Sequence, residues 1–189
     1  LVEQVAANKA KAGSIEAKIG DIWNTGTNEA AIEAAGIAPL QPALEQIAAL
    51  DDAAAISHYL RDSYAKGQGF LFSLFANGDY KDSGTVIAYV GQGGLGLPEK
   101  GYYFDESQAA IREAYVAYIE RLLALSGVDA GQARQQAQAV MEFETRLAKA
   151  SLSRIEMRDP SRRYNPVSAA EADRLTPDRK STRLNSSHM

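Results

Sequence analysis

The amino-acid sequence predicts a mainly α fold, an orthogonal helical domain carrying one β-hairpin. Three observations predict it. Ile15, Ile19, Ile22 and Trp23 recur at helical spacing; residues 70–90 are dense in aromatic and β-branched side chains; and two long amphipathic stretches flank Gly127.

Taken in order, Leu1, Val2, Val5 and Ala6 read as part of a helix. Ser14 caps the helix of the Ile15–Trp23 stripe, which is expected to face a core. Asn28 caps a short helix that stops at Gly36, and Pro39 and Pro42 open the next, carrying Leu40, Leu44 and Ile47. Asp51 or Asp52 caps a helix with Ile56, Leu60 and Tyr64, ended by Gly67. Phe70–Phe75 and Thr85–Val90 read as hairpin strands with a long connection, and Asn77-Gly78-Asp79 supplies turn chemistry. Four glycines and a proline make residues 91–98 a loop.

A helix from about Ser107 to Leu125 places Ile111, Tyr115, Tyr118, Ile119 and Leu122 on one side. A second, starting near Asp129, carries Ala133, Ala137, Val140, Met141, Glu144, Leu147 and Ala148. Asp159-Pro160 breaks the chain into an extended link, and Ser168 with Glu171 makes a capping box for a last short helix.

A chain of 189 residues suffices for one domain with a core. Its net charge of −4, with signs mixed along the helices, argues against nucleic acid as the partner. No apolar run approaches the ~20 residues of a membrane helix. The absence of cysteine excludes disulfides and thiolate metal sites and leaves the compartment open.

Neither end reads as natural. The chain begins inside a helix at Leu1, so any targeting segment is expected upstream. From Asp178 onward the residues resemble one reading frame of a sequencing adapter. Residues 1–177 are therefore expected to form the folded region and 178–189 a foreign, disordered tail, with Asp178 undecided. Without Arg179, Lys180 and Arg183 the charge moves from −4 to −7. The glycosylation-like Asn185-Ser186-Ser187 falls with the tail.

Chemical motifs are few. Gly91, Gly93 and Gly96 spell G-x-G-x-x-G, but Leu97-Pro98 follows where a dinucleotide turn must open a helix, so a structural crossover is expected. His58 and Asp62 lie one turn apart and could both reach a metal. Catalytic zinc wants three protein ligands, though, and the only other histidine is His188, so a local helix contact is expected. Glu142 and Glu144 point to different helix faces and make a poor acid–base pair. Glu144 interrupts the apolar stripe, with Arg146, Arg154 and Arg158 as candidate partners in a salt bridge. No Gly-x-Ser-x-Gly and no His-Glu-x-x-His occurs.

Several segments, in order, resemble the N-terminal half of the neprilysin family of zinc endopeptidases, its bacterial members especially. They are Ile19–Trp23, Asn28-Glu29, Ala35–Leu40, Asp79-x-Lys81-Asp82-Ser83, Gln92–Pro98 with Tyr102-Tyr103, Met141–Ala148, and Arg158-Asp159-Pro160 with Tyr164-Asn165-Pro166. Lys100-Gly101 departs from the family's Arg-Asp pair, which is expected to cost a local salt bridge. The resemblance implies an incomplete part of a two-lobed metallopeptidase that encloses oligopeptides and uses zinc held by two histidines and a glutamate. Those ligands are expected in a C-terminal half, which leaves this chain with no catalytic residue, no metal ligand and no cofactor of its own. Bacterial relatives imply the periplasm or cell envelope for the parent. The alternative is a non-enzymatic helical binding or scaffold domain.

Overall fold

A computed structural model describes residues 2–7 and 10–175. The tail from Arg179 onward, with Asn185–Ser187 and His188, lies outside the described residues. The fold is mainly helical with one two-stranded antiparallel sheet, as the sequence predicts. It divides into two compact units, Leu1–Ala49 and Leu50–Met189.

In the first unit α1 (Val2–Ala7) packs on α2 (Ile15–Thr27). Their close approach needs Gly20, where a Cβ would sit 3.3 Å from both the Ala6 Cα and the Val5 carbonyl oxygen. Ser14 Oγ accepts from the Ala17 amide at 3.2 Å and starts α2 as expected. Asn28 does the same for α3 (Glu29–Ala35), and Gly36 ends it at φ +50°. A 3₁₀ turn over Ala38–Leu40 leads into α4 (Gln41–Ala48). The expected burial of the α2 stripe is corrected: Ile15 is 72% exposed and Ile22 76%. Periodicity reports that a helix has an apolar face, not that the described residues cover it.

The second unit opens with α5 (Ala53–Ala65), capped by Asp52, whose Oδ1 accepts from the Ala55 amide at 2.7 Å. The hairpin follows as β1 (Phe72–Gly78) and β2 (Val86–Gln92), in register from Phe72 opposite Gln92 to Gly78 opposite Val86. Its connection is long and uses Asp79, as expected, and corrects the sequence reading only at Asn77-Gly78. Asn77 and Gly78 end the strand, and the turn is built by Asp79 and Asp82, which accept from the Lys81 and Gly84 amides. Aspartates can satisfy loop amides through their side chains, which supports a longer connection than Asn-Gly alone. Tyr64 sets the other end. Its hydroxyl donates to the Phe72 carbonyl at 2.6 Å and accepts from the Leu71 and Phe72 amides, so the strand begins at Phe72 rather than Phe70.

Beyond the loop come the short α6 (Gly101–Phe104), then α7 (Ala109–Leu125) and α8 (Ala130–Ala150), which pack together. Asp129 caps α8 through the Gly131 and Gln132 amides, and Gly127 turns the chain at φ +93°. Ala133, Ala137 and Ala148 are completely buried, and the small core joins Leu97, Tyr103 and Ala148 with Leu95, Tyr102, Tyr115 and Met141. The expected extended link at Asp159-Pro160 is corrected too: Asp159 caps a single-turn helix, α9 (Pro160–Arg163), with proline in its first turn. The Ser168–Glu171 capping box opens α10 (Ala169–Leu175) as expected.

Because α8 meets its neighbours through alanines, larger side chains should not fit. Ala133→Leu and Ala137→Leu are each expected to cost about 1–3 kcal/mol, read as a lowered denaturant midpoint at constant slope.

Candidate functional site

The one strongly buried carboxyl group among the described residues is Glu144, midway along α8 and 8% exposed. Three donors converge on it. The Tyr103 hydroxyl reaches Oε2 at 2.6 Å, the Gly96 amide reaches the same oxygen at 3.1 Å, and the Tyr115 hydroxyl reaches Oε1 at 3.0 Å. They come from α6, the 93–98 loop and α7, so one side chain ties three elements to a fourth. Tyr103 also accepts from the Leu97 amide at 3.0 Å, which holds the loop at a second point.

The salt bridge expected for Glu144 is corrected: among the described residues no cation pairs with it. Arg146 lies two positions along the same helix, which turns it to another face, where its guanidinium sits over the Phe143 ring. Arg154 and Arg158 lie past the end of α8. A buried carboxylate without a cation needs several hydrogen bonds, and this one has three.

The cluster also explains the glycine loop. Gly94 has φ +78° and a Cβ there would meet Leu71 and Leu147; a Cβ on Gly96 would collide with the Tyr115 hydroxyl. The loop runs into Pro98 and then a single-turn helix rather than opening a long helix as a dinucleotide turn does, and its G-x-G-x-x-G spacing serves close packing. Beside it lies an open groove of about 330 Å³, lined in part by Leu95, Leu97, Pro98, Leu152 and Met157. Gln92, also in its lining, bonds both the carbonyl and the amide of Leu152, at 3.0 and 2.8 Å.

His58 is exposed on α5. The expected His58–Asp62 helix contact is replaced by an Arg61–Asp62 ion pair at 2.9 Å. Among the described residues no three His, Cys, Asp or Glu side chains converge as a metal site. One exposed imidazole beside a carboxylate already held by arginine does not fit the three-ligand set of catalytic zinc. Lys100 donates to the carbonyls of Lys149 at 3.3 Å and Ser151 at 2.9 Å, and so holds the C-terminal end of α8.

The arrangement is that of a cluster that holds the fold, with one buried carboxyl group tying the 93–98 loop, α6 and α7 to α8. The chain belongs to peptidase family M13, whose N-terminal family model matches residues 1–186. Endothelin-converting enzyme 1 of Cavia porcellus is 34% identical over 109 residues, and endothelin-converting enzyme-like 1 of Rattus norvegicus 38% identical over 111. Each match takes in 57% of this chain and 14% of the relative. The Mycobacterium tuberculosis zinc metalloprotease Zmp1 is 30% identical in both of its matching structures. The open state aligns at a TM-score of 0.79 and the inhibitor complex at 0.81, covering 92% of this chain and 27% and 26% of Zmp1. The chain thus spans a small part of the relatives it matches. No described helix is long and apolar enough to cross a membrane.

Glu144→Gln should be tolerated better than Glu144→Leu. The glutamine carbonyl can keep the Gly96 and Tyr103 donors while its amide faces the Tyr115 oxygen. Leucine strands all three donors, at about 1–3 kcal/mol for each buried one; thermal melts of the two variants test the order. Burial, reinforced by Glu144, pushes the Tyr115 hydroxyl up from 10.0 to about 12, and raises Tyr103 in the same direction. A raised phenol stabilises the fold fully below its unfolded value and loses that contribution as pH rises through the folded one. Stability should therefore hold to about pH 10 and fall through pH 12. The part of the tyrosinate absorbance change that Tyr115→Phe removes should coincide with the loss of circular dichroism on one alkaline titration.

Proposed function

We propose that this chain is the N-terminal part of a bacterial zinc-dependent endopeptidase acting on oligopeptides. In that enzyme it forms part of the helical lobe around the substrate cavity and contributes no catalytic residue, no zinc ligand and no substrate contact that the sequence identifies. The observation that carries the reading is the Zmp1 match: nearly the whole chain aligns with about a quarter of a zinc metalloprotease, at 30% identity. The sequence supports it, because its two histidines, His58 and His188, cannot furnish His-Glu-x-x-His. Zinc and its ligands would then belong to the C-terminal half of the same polypeptide, with the periplasm or cell envelope as its compartment. Neither nucleic acid nor a membrane segment of this chain enters the reading.

Residues 1–177 form the peptidase region in this proposal, and 178–189 are foreign. The family match extends to residue 186, into that tail, so resequencing the gene across Pro177 is the direct check on the boundary. The uninterrupted frame should encode His-Glu-x-x-His and a further glutamate downstream. Its product should cleave an oligopeptide library in a manner abolished by chelator and restored by zinc, while the present chain does neither and retains no stoichiometric zinc. A natural stop codon near Pro177 would favour the non-enzymatic binding domain. Chelator-sensitive cleavage by the present chain that disappears in His58→Ala would overturn the assignment of roles.

A further inference from the structure

We propose that Asn77-Gly78 is a site of spontaneous covalent modification, at which the Asn77 side chain closes on the Gly78 amide, loses ammonia and reopens with water as aspartate or isoaspartate. Three features of the hairpin carry it. The first is hindrance: the amide following Asn77 belongs to glycine, which offers the least steric obstruction to attack.

The second is strand geometry. Asp79 donates its amide to the Thr85 carbonyl at 2.8 Å, so residues 79 and 85 form a hydrogen-bonded pair. By antiparallel alternation Gly78 and Val86, which face each other in the register, form a non-hydrogen-bonded pair. The Gly78 N–H therefore points away from β2, outside the ladder that would otherwise hold its proton. The third is proximity. That N–H instead donates to Asn77 Oδ1 at 2.9 Å, so the attacking nitrogen already lies beside the side-chain amide it must reach, and Asn77 is exposed.

Base removes the Gly78 amide proton, and the nitrogen bonds to Asn77 Cγ. The Cγ–Nδ2 bond breaks, and that nitrogen leaves as ammonia after taking up a proton. Water then opens the cyclic imide at either carbonyl, with no change of oxidation state. Both products add a negative charge beside Asp79. The isoaspartyl product also inserts a methylene into the backbone near the end of β1, which displaces Gly78 and the start of the turn against β2. Two bonds beside the insertion hold the end of the hairpin, from the Tyr89 hydroxyl to the Gly78 carbonyl at 2.9 Å and from the Asp79 amide to Thr85. Modification should loosen both.

Asn24 and Asn28 serve as internal controls: Asn24 lies inside α2, Asn28 caps α3, and each precedes a residue with a side chain. The full chain is held at mildly alkaline pH, folded or in denaturant, and mapped by mass spectrometry. The Asn77 peptide should gain about 1 Da and split into two products, one a substrate for isoaspartyl methyltransferase, while Asn24 and Asn28 in the folded chain stay unchanged. Gly78→Ala leaves room for its Cβ, whose nearest neighbour is the Ser83 carbonyl oxygen at 3.5 Å, and should slow the reaction about tenfold or more. Conversion of Asn77 no faster than Asn24 or Asn28 would overturn the proposal. So would a wild-type rate in Gly78→Ala, or protection of Asn77 by folding of about tenfold or more relative to the denatured chain.

Discussion

A carboxylate placed among apolar side chains on α8 has to be hydrogen-bonded or it would oppose folding. Glu144 solves this without a cation, drawing one donor each from the 93–98 loop, α6 and α7. Each donor is thereby fixed in place. Tyr115 projects from α7 into the space a Cβ on residue 96 would need, which is why that position is glycine. Tyr103 meets Glu144 while accepting from Leu97, which makes the loop's backbone part of the same network. Such a network is more demanding than apolar packing, because a partial loss strands the remaining polar groups in a poorly hydrated place.

The same logic recurs at the hairpin. Tyr64 fastens β1 through three backbone contacts, Gln92 fastens β2 to Leu152 through both ends of its amide, and Tyr164 donates to Asp79 at 3.1 Å at the turn. Side chains reaching backbone do much of the joining here, in keeping with a core that is small and rich in alanine. Much of the apolar surface is left uncovered: Leu74, Val86 and Val90 on the hairpin are each at least half exposed. An apolar surface of that extent is unusual for a chain that works alone. It accords with the proposal that the chain is one part of a longer peptidase.

What was legible in the sequence follows from range. The caps at Ser14 and Asn28 and the box at Ser168–Glu171 depend on residues three positions apart and were readable, while Asp52 was one of two candidates and Asp129 was read only as the start of its helix. The hairpin was readable with its long connection and with Asp79 in the turn, but Asn77-Gly78, a competing local signal, proved to end the strand, and Asp82 was named only in the family resemblance. Glu144 stood out as a polar residue on an apolar stripe, yet its partners lie 29 to 48 positions away. Charge complementarity pointed to arginines, whereas helix geometry turns Arg146 aside. The usable signal was the pair of tyrosines, side chains that are apolar along their length and carry a donor at the tip.

Three of the segments carrying the family resemblance meet at Glu144. Gln92–Pro98 supplies the loop amide, Tyr102-Tyr103 the buried hydroxyl, and Met141–Ala148 the carboxylate itself. That convergence separates two things a motif can report. A residue can recur because it does chemistry or because the fold cannot close without it, and burial with every polar atom satisfied points to the second. Among the described residues no buried side-chain nitrogen or oxygen is left without a partner, as a structural role for Glu144 requires. The family is thus legible here through side chains that close its scaffold.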